Sequence, residues 1–368
     1  MTTLARKSQP VAVGLVVIGR NEGERLRRSL ASVRARFAAA IYIDSGSTDQ
    51  SVALARSMGL AVHELDCSRP FTAARARNEG FAALLSMHPE LEFVQFLDGD
   101  CELESAWLAW ALRVFAAEPK AAVVCGRRRE RAPNASIYNL LCDLEWDTPV
   151  GCESDCGGDA LVRASAFRAV GGFDPSMIAG EEPDLCCRLR QHDFAVLRID
   201  AAMTVHDASM TRFGQFWKRA VRTGYCAAEG AARLGRRADA RHPRHLRHAL
   251  SALVWAALAP IAVVGALLAP DALVPPAVAV ALLGALLLGY AVLFVRVALR
   301  RIDRGDSPRA SSLYALFCVL GKWPELQGAI TYVSNRALRR DARWIEYKDR
   351  RELIASAPDD MAAGPRSG

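Results

Sequence analysis

Hydrophobic and polar positions alternate in blocks over the first hundred residues. Val11 to Ile18 is a continuous, β-branched apolar run, the pattern of a strand buried on both faces. "NEGERLRRSLASVRARF" follows, with Leu26, Leu30, Val33 and Phe37 at helical spacing. "AIYID" predicts a second strand. "STDQSVALARSMG" predicts a helix with Ser47, Thr48 or Asp49 as cap and Gly59 as stop. "LAVHEL", "FTAARARNEGFAALLSM" and "LEFVQFLD" continue as strand, helix and strand. This β-α-β-α order predicts an α/β fold, a mostly parallel sheet with helices on both faces. Ligands of such sheets lie at the carboxyl ends of the strands, where Asp44 and Asp98 fall.

The pattern changes after residue 248. Ala249 to Ala269 and Leu273 to Val295 are two apolar stretches without a basic or acidic residue, each of about 20 residues, the length that crosses a bilayer. A buried hairpin in a core is the alternative, but two such stretches in succession are too apolar for it. After Arg309, "SSLYALFCVLGKWPELQGAITYVSNRAL" is apolar yet holds Lys322, Pro324 and Glu325. It suits an interfacial helix better than a third span.

Charge fixes an orientation. The formal net charge of the 368 residues is +7, and "RLGRRADARHPRHLRH" (Arg233 to His248) and "RVALRRIDRGDSPR" (Arg296 to Arg309) flank the apolar pair. Basic runs there suit anionic lipid headgroups rather than nucleic acid. The connector "PDALVPP" has no base, so the positive-inside rule puts it outside and both flanks in the cytoplasm. The ten cysteines form no CxxC pair and no zinc-like spacing, which favours half-buried thiols in a reducing compartment. Six segments are expected. They are a tail (1–10), an α/β domain (11–235), a basic juxtamembrane linker (236–248), two transmembrane helices (249–297), a cytoplasmic or interfacial amphipathic segment (298–355) and a disordered tail (356–368).

The candidate chemistry begins where "FVQFLDGD" ends in Asp98 and Asp100. A buried strand does not hold unpaired acids, so this end is wet or holds a cation. A polar turn is the plain alternative. Neither G-x-G-x-x-G after the first strand nor a G-x-x-x-x-G-K-[ST] loop occurs, so glycine-loop phosphate binding is excluded. A cation at the acid pair would supply the missing positive charge.

Five segments taken in order resemble the family-2 glycosyltransferases with a GT-A fold. They are "VVIGRNEGERL" (Val16 to Leu26), "IYIDSGSTDQS" (Ile41 to Ser51), "ARARNEG" (Ala74 to Gly80), "FLDGD" (Phe96 to Asp100) and "VGGFDPSMIAGEEPDLCCRLR" (Val170 to Arg190). The C-terminal spans and "GKWPEL" also resemble membrane-bound members of bacterial exopolysaccharide pathways.

The resemblance implies an inverting enzyme that uses a nucleotide-diphosphate sugar, UDP-linked by preference, and a divalent metal, Mg2+ or Mn2+. Its acceptor would be a lipid-linked or other glycan at the bacterial inner membrane. Asn21 and Glu22 would lie under the nucleoside. Asp44 would accept from the base, with helix capping as its alternative. Arg77 would lie over the nucleotide. Asp100 would ligate the metal, Asp98 would face the ribose or a metal-bound water, and His206 would be a third ligand or a structural histidine. Gly157, Gly158 and Asp159 would border the donor sugar. Arg219 and Arg222 would contact the diphosphate from a lid, or lie along the membrane. Glu182 would be the general base, with Glu181 as runner-up. The chain departs from the family at Gly19, where many members have proline, at Ser45, where many have a second Asp, and at Glu182, where Asp is commoner. A processive synthase would carry Q-x-x-R-W and more spans, both missing here; a catalytically inactive scaffold would not need Asp98, Asp100 and Glu182.

Overall fold

The computed structural model describes residues 12–153, 155–234 and 243–340. The tails expected at 1–10 and 356–368, residues 236–242 of the linker and residues 341–355 lie outside these. The described residues fall into two compact units. One runs up to Arg131 and takes in Trp146–Ala208; the other takes in Ala132–Glu145 and the chain from Ser209 onward.

The first unit is built on a nine-stranded sheet. Its strands are β1 (Val13–Gly19), β2 (Ala39–Asp44), β3 (Ala61–Glu64), β4 (Phe93–Asp98), β5 (Cys101–Leu103), β6 (Ala121–Glu130), β7 (Gly151–Cys152), β8 (Ala160–Arg163) and β9 (Ala195–His206). The order is β3-β2-β1-β4-β8-β6-β9-β5, with β7 on β9. The first four are parallel, as the sequence pattern predicts. The rest is mixed. β8 runs antiparallel to β4 and β6, and β5 antiparallel to β9. Parallel neighbours need a long crossover, but only Gly99 and Asp100 separate β4 from β5, so β5 leaves for the far edge of the sheet.

The helices of the chain are α1 (Glu24–Val33), α2 (Ser51–Ser57), α3 (Ala73–Met87), α4 (Trp107–Ala117), α5 (Ile137–Glu145), α6 (Ala164–Ala169), α7 (Glu181–Gln191), α8 (Phe213–Leu234), α9 (Pro243–Leu253), α10 (Ala259–Leu268), α11 (Pro276–Ile302), α12 (Pro308–Leu320) and α13 (Lys322–Ala337). Leu26, Leu30 and Val33 turn the buried face of α1 inward. Asp49, one of the proposed caps, accepts from the Ser51 N–H at 2.9 Å, and Gly59 ends α2 with a φ of 85°. Thr72 caps α3 by accepting from the Arg75 N–H. Arg75 is buried. Its guanidinium pairs with Glu79 at 2.7 Å and donates to the carbonyls of Asp66, Arg69 and Pro70, so it ties down the loop before α3.

The second unit contains α5 and α8 to α13. Thus α8, expected with the sheet domain, clusters with the C-terminal helices. Gly224 on α8 and Gly328 on α13 show why. A Cβ on either would strike the backbone of the other helix, so the two helices meet main chain to main chain. α9 continues through a π-helical turn, Val254–Leu258, into α10. Pro260 in the first turn of α10 has no N–H for a normal helical bond, and the π turn absorbs the mismatch. Together α9 to α10 (His245–Leu268) and α11 are two helices long and apolar enough to cross a membrane. They overlap the stretches 249–269 and 273–295 expected as spans, each beginning or ending within a few residues of them. The segment after Arg309 is two helices, α12 and α13, broken at Gly321, and not one.

Candidate active site

The carboxyl ends of three neighbouring strands define the site. β1 lies between β2 and β4, with Gly19 level with Asp44 and Ile18 level with Asp98. Across β5 and β9, Cys101 pairs with His206, which brings His206 next to Asp100. His206 Nε2 lies 3.3 Å from Asp100 Oδ2, both side chains buried. Burial resists a charge on this imidazole, but Asp100, together with Glu130 on the other ring nitrogen, outweighs it and holds the His206 pKa above its ordinary value. Asp100, Cys101 and His206 place their donor atoms within 4.8 Å of one another. Burial pushes the Cys101 thiol well up, so it stays protonated. The carboxylate and imidazole are the ligands that fit a hard divalent cation here.

Asp98 sits among cations. Arg77 Nη2 donates to its Oδ1 at 2.8 Å, and Arg128 Nη2 lies 3.6 Å from Oδ2. Burial would raise this carboxyl, but Arg77 and Arg128 together hold it below the ordinary carboxylate range. Arg128 reaches Asp159 Oδ2 at 2.8 Å, and Asp159 Oδ1 accepts from the Asp98 backbone N–H at 2.9 Å. Its guanidinium also lies over the Trp146 ring. Gly158 has no room for a side chain, because a Cβ there would overlap Arg77 Nη2 and lie 2.9 Å from Asp98 Oδ2.

The acids of α7 meet the same guanidinium. Arg77 Nη1 lies 3.0 Å from Glu181 Oε1 and 3.5 Å from Glu182 Oε1, while its Cζ covers the Phe173 ring. Burial opposes the charge on Arg77, but Asp98, Glu182 and Glu181 outweigh it and raise its pKa. Gly180, in the left-handed region at a φ of 82°, turns the chain into the helix. Glu181 is shut in, with 3% of its side chain exposed, whereas Glu182 keeps 18%. Burial, and then the neighbouring Glu181, push the Glu182 carboxyl up to about 7 against the pull of Arg77. Asp184 pairs with Arg188 at 2.8 Å. Asn78 exchanges two hydrogen bonds with the Phe173 backbone and holds the loop that leads to α7.

The nucleoside-side residues are engaged locally. Asp44, 2% exposed, accepts from the Gly46 and Ser47 N–H groups at 3.0 and 2.7 Å and from the Tyr42 hydroxyl at 3.1 Å. Asn21, at a φ of 56°, donates its N–H to Ser47 and accepts from the Thr48 N–H at 2.7 Å, so it clips the β1 loop to the β2 loop. Glu22 pairs with Arg25 at 2.9 Å. Arg219 and Arg222 lie on α8 in the second unit, Arg219 against Glu145 at 2.6 Å.

One participant escapes the sequence, and so does the part played by a second. Arg128 is the middle of three arginines in β6, and only the strand register shows which of them turns toward Asp98. Asp159 stands in the glycine turn, but its role as a clamp between Asp98, Thr204 and Arg128 depends on strands far apart in the chain.

The glycosyl transferase family 2 profile matches residues 15–148. A pre-mycofactocin glycosyltransferase of Mycobacterium tuberculosis is 31% identical over 211 residues, which make up 53% of this chain and 42% of that protein. A TPR repeat-containing protein of Synechococcus elongatus is 33% identical over 138 residues, 37% of this chain and 32% of its own length. The matched region therefore spans less than half the length of either relative. Among solved structures, a mannosyltransferase of Pyrobaculum calidifontis in complex with GDP-Man and Mn2+ superposes with a TM-score of 0.54 at 18% identity, over 89% of each chain. At that identity the likeness is one of fold. The strand order and the superposition agree on a GT-A fold, and residues 15–148 of the chain match the glycosyl transferase family 2 profile.

Proposed function

We propose that this chain is an inverting glycosyltransferase. It moves one sugar from a nucleoside-diphosphate donor to a hydroxyl on a lipid-linked or glycan acceptor at the inner leaflet, as a step in cell-surface polysaccharide synthesis. The observation that carries the proposal is the single guanidinium of Arg77 shared by Asp98 and by Glu181 and Glu182. A donor-side acid and an acceptor-side base are thereby held on one rigid cation.

Glu182, with its pKa near 7, takes the proton from the acceptor hydroxyl. The freed oxygen attacks the anomeric carbon from the face opposite the diphosphate. The bond from that carbon to the diphosphate oxygen breaks, the nucleoside diphosphate leaves with the electron pair, and the configuration inverts. Asp98 faces the ribose, held in place by Arg77 and Arg128. Gly158 lets the donor approach closely. Asp100 and His206 are the residues that would hold a divalent cation, Mg2+ or Mn2+, which would supply positive charge to the leaving diphosphate. A uridine preference rests on Asp44, whose carboxylate already holds its own turn, so the donor class is kept at nucleoside-diphosphate sugar.

The two long apolar helices, with basic residues on their outer flanks, serve as the membrane anchor and leave the catalytic unit on the cytoplasmic side. The deciding experiment is a panel of nucleotide sugars offered to the detergent-purified chain, with and without Mn2+, read by release of nucleoside diphosphate. Release from at least one donor, dependent on metal and lost in Asp100→Ala, supports the proposal. Equal, negligible release from wild type and Asp100→Ala across the panel and with added membrane lipid extract would leave the inactive scaffold as the better reading.

A further inference from the structure

α12 and α13 carry large apolar side chains on their exposed faces. α12 buries Ser311 completely and exposes Leu316 and Leu320. α13 buries Lys322 and Glu325, each only 8% exposed, and exposes Trp323, Ile330 and Val333 at 39%, 56% and 60%. The buried ions are satisfied internally. Lys322 Nζ donates to Glu325 Oε2 at 2.7 Å, and His248 Nε2 of α9 lies 3.1 Å from Glu325 Oε1. One ion pair is thus held inward and several large apolar side chains are turned outward, which suits hydrocarbon and penalises water, although Ala315, Phe317 and Tyr332 are buried as well and Ser312, Gln327 and Ser334 are exposed.

The location of the turn between the two helices agrees. Trp323 stacks on Tyr290 of α11, ring centroids 5.9 Å apart, and Tyr290 packs on Trp255 of the preceding span at 5.3 Å. Tyr290 lies about 9 Å further into the apolar stretch than Arg296, the first charge of α11, at about 1.5 Å per residue. From Ile302 back to Tyr290, α11 runs about 18 Å, and the 13 residues of α12 run about 20 Å. α12 therefore retraces the end of α11, and the break at Gly321 sits well inside the apolar zone. The open end of the hairpin is basic, with exposed Arg304 before α12, exposed Arg309 in its first turn, and exposed Arg336, Arg339 and Arg340 at the end of α13. The exposed side chains next to the turn, Leu320 and Trp323, carry no charge.

We propose that α12 and α13 form a re-entrant hairpin whose outer face is solvated by the acyl chains of the cytoplasmic leaflet, with its arginines at the headgroups. Lys322 and Glu325 are its buried ion pair, with His248 of α9, 35% exposed, at the rim. The inference rests on the reading that α9–α10 and α11 cross the bilayer. It takes the occupant of the exposed face to be lipid, and not a second copy of the chain.

The test is photo-crosslinking of the full chain in native membranes. p-Benzoylphenylalanine replaces Leu316, Leu320 or Val333, and the mass of each adduct is read after irradiation. Leu288 of α11, 64% exposed, is the lipid-facing reference, and Tyr332, 7% exposed, is the inward-facing one. The expected result is phospholipid adducts at Leu316, Leu320 and Val333 in yields comparable to Leu288, and none at Tyr332. Lipid capture at Leu288 with only chain-to-chain crosslinks, or no adduct, at the three hairpin sites overturns the hairpin and leaves the anchor standing. Failure of lipid capture at Leu288 itself overturns the anchor, and the hairpin with it.

Discussion

The Arg77 guanidinium lies 3.5 Å from the Glu182 carboxylate, and through its other terminal nitrogen it holds Asp98 at 2.8 Å. The pair sets a balance. Burial and Glu181 raise Glu182, Arg77 lowers it, and the result is a carboxyl near 7, where a general base combines availability with basicity.

The first consequence is a pH profile. Glu182 must be ionised to accept a proton, so kcat/KM should fall below about pH 7, with one proton on the acid limb. The groups that face it are Glu181, Arg77, Asp98 and Cys156. Arg77→Met should move this limb to higher pH, because the only cation among them is lost. An acid limb near 4.5 in wild type would show that Glu182 is not the titrating base. Stability should run the opposite way to activity. The folded carboxyl keeps its proton up to about 7, whereas the unfolded one releases it near 4.5. The native state thus binds more protons between these values, and the contribution of Glu182 is full below about 4.5 and is lost as pH rises through 7.

Arg77 is also structural. Its removal leaves three acids facing one another in a site with 3% exposure at Arg77 itself. Arg77→Met should cost about 3–5 kcal/mol, as other broken buried pairs do. Arg77→Lys should recover part of that loss but not activity, because one ammonium does not reproduce the fork that spans Asp98 and Glu181. Urea or thermal melts of the detergent-solubilised variants read the first effect, and donor turnover the second.

Gly158→Ala is a steric test of the same centre. The added methyl overlaps Arg77 Nη2 and presses on Asp98, so overpacking of about 1–3 kcal/mol is expected together with loss of turnover. Gly214→Ala, where a methyl meets nothing within 4 Å, is the control and should behave as wild type. Full activity in Gly158→Ala would mean that Arg77 is free to leave Asp98.

Removal of either proposed metal ligand should weaken Mn2+ binding measured by calorimetry or by the free-Mn2+ EPR signal. Loss of an outer-shell partner of a metal ligand typically costs about 10–100-fold in affinity, so His206→Ala and Asp100→Ala should each cost at least that. Unchanged Mn2+ affinity in His206→Ala would reduce His206 to a structural partner of Asp100.

Much of the first unit was legible because its early elements obey local rules. β1 to β4 and the helices between them have clean periodicity, and Asp98 and Asp100 stand out as acids at the end of an apolar strand. The second half of the sheet was not legible, because β8, β6 and β9 pair across long gaps and no local pattern sets their direction. The same limit hid Arg128. Asp44 and Asn21 show a different limit. Both sit at the strand ends where ligands bind, yet their polar atoms are occupied by the turns that shape those ends. Position alone does not separate a ligand contact from a scaffold contact. For the α7 acids the sequence offered two adjacent candidates, and the structure separates them by burial, with Glu181 enclosed by Arg77 and Glu182 open on one side.

That separation is the central claim, and donor turnover measured beside donor binding in Glu182→Gln tests it most directly. The amide keeps size and hydrogen bonding but takes no proton. Transfer should fall by about 10²–10⁴ while donor affinity stays close to wild type. In Glu181→Gln the altered group is a partner of Arg77, so the protein should lose stability before it loses the chemical step. Wild-type turnover in Glu182→Gln, with turnover abolished in a folded Glu181→Gln, would contradict the account and move the base one residue back.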